Sequence, residues 1–163
     1  MEKAVKEIID YSLTKEKLYS FLSSPENSVM VLATSADDIV MARPVLVINY
    51  ESDIYFFTWK HSRKYIQIKK NNNVSICKDK VEIEGKAEIL GLMTDEKNLE
   101  IMNIMRKKQP ESIEKWENKP NMVIIKVKPQ FACVDGYFLN DNAYIEYIDF
   151  NKQTAHKEKW GNF

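Results

Sequence analysis

Two short stretches of this 163-residue chain carry side chains suited to holding an anion: Arg43-Pro44-Val45-Leu46, and Phe57-Thr58 followed after a short turn by Ser62-Arg63-Lys64. Pro44 interrupts an otherwise apolar strand pattern. Proline has no N–H to give to a ladder, so the segment is expected at a sheet edge or a bulge, with free backbone groups beside the fixed charge of Arg43. Ser62 stands where it would cap a helix starting at Arg63. A helix N-terminus with unpaired N–H groups, two cations and the hydroxyls of Thr58 and Ser62 is a physically sound phosphate site. Taken singly, each piece has an ordinary role: a snorkelling Arg43, a capping Ser62, and a solvated helix face for Lys60, Arg63, Lys64, Lys69 and Lys70. Their combination is what points to a phosphate.

Other chemistries find little support. The chain shows no catalytic triad, no paired carboxylates and no HExxH motif, and His61 is the titratable residue nearest the proposed phosphate turn. Cys77 and Cys133 are far apart, with no CxxC and no histidine at ligand spacing, so no metal site is expected and both read as thiols of a reducing compartment. Lys and Arg number 24, as do Asp and Glu, and the zero balance lacks the basic footprint of a nucleic-acid binder. The longest apolar runs fall far short of the ~20 residues that span a bilayer, and the N-terminal segment has no apolar core of a secretory signal. A cytoplasmic protein of one domain, residues 1–163, is the expectation, with a core large enough to stand without disulfides.

The elements that must position these residues follow from periodicity. Apolar spacing predicts a helical lead-in within residues 1–24, with Thr14 as the cap of a second helical piece, and Ser23 to Ser28 breaks it. Strands are expected at Val29–Thr34, Ile39–Asn49 and Asp53–Thr58, a short helix at Arg63–Lys70, and strands at Val74–Lys78 and Val81–Leu90. Thr94-Asp95-Glu96 opens a helix that ends in Arg106-Lys107-Lys108, and a weaker helical piece surrounds Ile113 to Trp116. Strands at Met122–Lys128, Phe131–Phe138 and Ala143–Phe150 precede a polar, basic tail, residues 151–163, with Trp160 and Phe163 near its end. About eight strands with few helices predict a mainly β fold with peripheral helices, a closed or nearly closed antiparallel barrel over residues 28–150, or else an open sheet covered by helices.

The pattern Arg43-Pro44-Val45-Leu46, a hairpin, then Phe57-Thr58 and Ser62-Arg63-Lys64 resembles that of the pyridoxamine 5'-phosphate oxidase-like FMN-binding split barrels, especially their small general stress and nitroimidazole-resistance-like members. The resemblance covers about Ser28 to Gly91 and includes Ile83-Glu84-Gly85-Lys86-Ala87-Glu88. It implies an antiparallel split barrel that binds FMN as a homodimer, with the cofactor at the subunit interface, and a small-molecule substrate or nicotinamide donor. It also implies that Arg43, Pro44, Val45 and Leu46 contact flavin and phosphate, that Phe57 and Thr58 form an aromatic-Thr pair, and that Ser62, Arg63 and Lys64 make the phosphate turn. Lys80 falls where a Gln reaches the flavin ring in the family, and its charge there would raise the flavin's reduction potential. Ile48 replaces a flavin-contacting Lys, Trp59 replaces the usual Asn, and the Trp and Arg that hold the pyridoxal substrate have no counterpart in residues 135–163. The expected function is therefore an FMN-dependent oxidoreductase on an unidentified small molecule, without vitamin B6 oxidation. A non-catalytic module binding flavin, deazaflavin or haem on the same fold stands as the alternative. Trp116 and Trp160 are candidates to cover a flavin face from the partner subunit.

Overall fold

The computed structural model describes residues 5–139 and 142–160. Within them the order is β1 (Val5–Ile9), α1 (Tyr11–Ser23), β2 (Val29–Ala36), β3 (Ile39–Leu46), β4 (Ile48–Tyr50), β5 (Asp53–Trp59), α2 (Arg63–Lys70), β6 (Asn73–Lys78), β7 (Val81–Leu92), α3 (Leu99–Lys108), α4 (Pro110–Trp116), β8 (Met122–Leu139), β9 (Asn142–Asp149) and β10 (Thr154–Trp160). All pairings are antiparallel, in the order β1-β10-β9-β8-β7-β6-β2-β3, with β5 pairing β4 on one side and β8 on the other. This is a mainly β fold with peripheral helices, as expected.

The long strand β8 organises the sheet. One edge follows β7, while the other pairs β5 along Met122–Val127 and β9 from Phe131 onward. Six strands, β3-β2-β6-β7-β8-β5, thus curl into a barrel that fails to close, because β3 and β5 face each other without a ladder. The chain turns the corner at Val47, whose N–H donates to Ser28 O at 2.7 Å and whose carbonyl accepts from Gln109 Nε2 at 2.9 Å. The split therefore lies next to Arg43-Pro44 on one lip and Thr58 on the other.

Strand alternation divides the apolar residues between two cores. Leu18, Met30, Leu32, Phe56, Ile76, Ile83 and Ile125 fill the barrel, and α1 plugs one end. On the outer side of β5 and β8, Tyr55, Met122 and Ile124 meet Ile101, Met102, Met105 and Ile113 of α3 and α4. The aromatic run of β5 is thereby shared out, Phe56 to the barrel and Tyr55 and Phe57 to the second core.

Both ends of the chain depart from the sequence reading. Val5–Ile9 is a strand, and the following helix is capped by Asp10, whose Oδ1 accepts from Leu13 N–H at 2.8 Å, instead of by Thr14. The tail supplies the partner: residues 154–160 form β10, registered with β1 from Ile9↔Ala155 to Val5↔Lys159. Charge complementarity, with Lys6–Glu158 at 3.5 Å and Lys159–Glu7 at 2.7 Å, takes the place of an apolar stripe, so periodicity gives no strand signal here. Phe163 and the Trp160 side chain lie outside what is described. The two strands expected at Met122–Lys128 and Phe131–Phe138 are one, with a bulge near Pro129-Gln130 that keeps β8 paired to β7 through the proline. The strand expected at Ile39–Asn49 is instead broken at Val47 into β3 and β4. No helix among the described residues is long and apolar enough to cross a membrane.

Candidate functional site

β5 delivers Thr58 to the lip of the split, buried at 5% exposure, and the turn after Trp59 leads into α2. That turn is fixed by Ser62 N–H donating to Trp59 O at 2.9 Å and Lys60 N–H donating to Asn121 O at 2.9 Å. Ser62 has the extended backbone of an N-cap, and its hydroxyl accepts from Tyr65 N–H at 3.3 Å while standing 3.0 Å from Thr58 Oγ1. Lys64, in the first turn, sends Nζ back to Thr58 Oγ1 at 3.3 Å. Two hydroxyls and one ammonium thus meet at the start of α2.

Arg43 approaches from the opposite lip. Its neighbour Pro44, on the edge strand β3, pairs with Val31 of β2, which fulfils the expectation that the proline sits where no second ladder is needed. Burial, together with the Arg63 charge, pulls the Arg43 guanidinium below its ordinary range. Burial and then the Arg43 charge do the same to Lys64. None of the three cations has a carboxylate partner among the described residues. Arg43 and Lys64 are partly buried and Arg63 is exposed beside them, so the two inner charges are held without a counter-ion at a cost that an arriving oxyanion relieves.

Beside this cluster runs an open cleft of about 410 Å³, within the range of small-molecule and cofactor sites. Pro44, Val45 and Leu46 form one wall, and Phe57, Thr58, Ser62 and Lys64 the other. Trp59 and Trp116 meet edge to face across its outer side, ring centres 6.3 Å apart, with Ser112 and Met122 beside them. The cleft is therefore cationic and hydroxylic at one end and aromatic at the other. Among the described residues its lining holds no carboxylate, histidine or cysteine, and Lys64 is its ionisable side chain, so within it the protein offers hydrogen bonds, one positive charge and apolar surface.

Of the residues singled out from sequence, Pro44, Val45, Leu46, Phe57, Thr58, Ser62 and Lys64 line this cleft. Arg43 and Arg63 act on its cationic end through their charges. Lys80 does not line it: it occupies the turn joining β6 to β7, after Lys78, whose Nζ donates to Glu26 O. His61 is exposed in the turn. Ile48 is buried in the second core. Sequence reasoning missed Thr34, Gln67 and Ser112. A signal for the first two existed, since Thr34 falls on the inward alternation of β2 after Met30 and Leu32, and Gln67 falls next to Ile68 on the buried face of α2.

Comparison with known proteins agrees with this fold. The family described as pyridoxamine 5'-phosphate oxidase matches residues 14–132. The chain therefore belongs to that family, within which its architecture is the split barrel. It is similar in structure to General Stress Protein 26 from Bacillus anthracis, at 23% identity and a TM-score of 0.58, over 73% of this chain and 91% of that one. A pyridoxamine 5'-phosphate oxidase-related, FMN binding protein from Nostoc punctiforme matches at 13% identity and a TM-score of 0.54, over 92% and 94% of the two chains. HutZ, the heme storage protein from Vibrio cholerae, matches at 13% identity and a TM-score of 0.57, over 74% and 91%. No curated protein matches.

Proposed function

We propose that this protein binds FMN in the cleft between β3 and β5 and is an oxidoreductase acting through that flavin on a small molecule. The observation that carries the reading is the group Arg43, Arg63 and Lys64, without a carboxylate partner among the described residues, set beside Thr58 and Ser62 at the capped start of α2. A phosphomonoester dianion supplies the missing counter-charge, and Thr58, Ser62 and the first N–H groups of α2 add hydrogen bonds. Leu46, Phe57 and the Trp59–Trp116 pair offer apolar surface for a planar ring system. When bound, FMN supplies the electron chemistry, so none of it has to come from a carboxylate, histidine or cysteine of the cleft lining. Residues of this chain anchor and orient, and the aromatic wall restricts water. We place the protein in the cytoplasm as a homodimer with the flavin at the subunit interface. Val29, Val31, Ile39 and Val40, exposed on β2 and β3 at 50%, 40%, 51% and 72%, support an apolar contact surface next to the site.

The similarity to a heme storage protein supports a second reading, a binding module without turnover. Haem requires an axial ligand, and among the described residues the cleft lining supplies no His, Cys or Tyr, leaving the buried Met122 as its one side chain of an axial-ligand type. The test is the visible spectrum of the purified protein, before and after FMN and then NADH or NADPH. Flavin bands that sharpen on titration and bleach with the nicotinamide establish cofactor and redox activity. Bound flavin that resists reduction favours the binding module, and a spectrum unchanged by FMN refutes both flavin readings.

A further inference from the structure

The Arg43 guanidinium is gripped from the barrel side by two buried, uncharged residues. Nη1 donates to Thr34 Oγ1 at 2.5 Å and reaches Leu32 O at 3.5 Å, and Nη2 donates to Gln67 Oε1 at 3.3 Å. Thr34 and Gln67 are themselves joined at 2.6 Å, and Gln67 Nε2 donates to Ile39 O at 2.9 Å. Arginine has no acceptor, which fixes the direction of every proton: the Thr34 hydroxyl accepts from Nη1 and donates to Gln67 Oε1, and the amide turns its nitrogen to the carbonyl. Thr34 is 2% exposed and Gln67 7%, so the pair is polar matter inside an apolar barrel wall. Burying it is unfavourable unless every group is bonded, and an apolar pair of the same shape would serve the fold at least as well.

What the pair does instead is hold a charge in an unwelcome place. Arg43 lies close enough to Arg63 and Lys64 for the three charges to repel, and a long side chain on an edge strand would otherwise swing into solvent. The bonds occupy one end of the guanidinium. Nε–H and the second Nη2–H have no partner among the described residues, and together they form the edge that grips an oxyanion through two parallel bonds. A neutral amide is the suitable clamp, because a carboxylate at position 67 would hold Arg43 as firmly while cancelling the charge the site needs.

We propose that Gln67 and Thr34 are positioning residues, which lock Arg43 so that its free edge is presented to the ligand's phosphate before the ligand arrives. This rests on the phosphate reading of the cleft. The expected loss on unlocking is the ordering of one long side chain on binding, about three- to tenfold in affinity.

The test is a fluorescence titration of FMN and of riboflavin, which lacks the phosphate, into wild type, Gln67→Met, Thr34→Val, Arg43→Met and the Arg43→Met/Gln67→Met double variant. FMN affinity should fall by the stated factor in Gln67→Met and Thr34→Val while riboflavin stays within about twofold, and Gln67→Met should add nothing in the Arg43→Met background. Thr34→Ser should restore the wild-type ratio, and Gln67→Glu should lose more FMN affinity than Gln67→Met. An unchanged FMN-to-riboflavin ratio in Gln67→Met, or a Gln67 effect that persists without Arg43, overturns the proposal and leaves the phosphate reading intact. Wild type that binds FMN no tighter than riboflavin overturns that reading and the proposal with it. Failure of both Gln67→Met and Thr34→Val to fold, where Arg43→Met folds, shows the pair to be structural and likewise overturns it.

Discussion

Replacing Lys64 by methionine should weaken the ligand without weakening the fold. The methionine keeps the apolar stem and removes the ammonium, which in the ligand-free protein is half-buried, repelled by Arg43 and, among the described residues, engaged only with Thr58 Oγ1 at 3.3 Å. Thr58 keeps Ser62 at 3.0 Å as a partner, so the exchange leaves no buried hydroxyl unbonded. Loss of one weak bond offsets relief of a like-charge contact, and ligand-free stability is expected to move by less than about 0.5 kcal/mol. Toward a phosphate the same ammonium makes a charge-assisted bond, for which about 1.5–3 kcal/mol is typical. The half-exposed setting places the expected value at the lower end, or roughly a tenfold rise in Kd. The measurement is a flavin titration at low and high salt beside thermal unfolding of the ligand-free protein. FMN affinity should fall, riboflavin affinity should hold, and the difference should shrink with salt. An unchanged Kd for FMN, or a clearly lowered melting temperature, would refute the reasoning.

Three further outcomes follow from the geometry. A Cβ on Gly85 would lie 2.7 Å from Val127 Cγ1 and 2.8 Å from Lys128 O, beside the β7–β8 bulge, so Gly85→Ala should cost about 1–3 kcal/mol in urea unfolding. Burial raises the Tyr55 hydroxyl from 10.0 to about 12, with Asp53 and Glu51 adding to the effect. The folded state therefore keeps a proton that the unfolded state releases, and stability should decline as pH rises from 10.0 through about 12, a limb that Tyr55→Phe removes in pH-dependent denaturation. Burial pushes Glu146 up, but hydrogen bonds from Lys17 at 2.7 Å and Lys157 at 3.0 Å outweigh it and hold the carboxylate below its ordinary 4.5. Its contribution is thus present above that pH and lost on acidification, and Glu146→Ala should cost about 1–3 kcal/mol at neutral pH and flatten the acid limb of a stability profile.

The sequence by itself determined the elements whose signals are local. Clean alternation in Val81–Leu90 reports a half-buried strand, Ser62 reports a helix start, and Pro44 in an apolar run reports an edge, because each depends on neighbours a few residues away. The cationic and hydroxyl half of the candidate site was legible for the same reason. Only the tertiary structure decided what depends on distant partners. Val5–Ile9 and Thr154–Trp160 become strands because each finds the other's charges across about 150 intervening residues. Trp116 and Ser112 wall the cleft because Met102, Met105 and Ile113 seat the two helices on the back of β5 and β8. Lys80 is carried into the β6–β7 turn by the register of those strands, whatever its place in the sequence suggests. Thr34 and Gln67 read as one polar position on a strand and one on a helix, and they become a grip on Arg43 only when the barrel wall brings β2, β3 and α2 together. Local chemistry is written in spacing, whereas a hydrogen-bonded network is closed by packing between elements whose separation along the chain carries no trace of it.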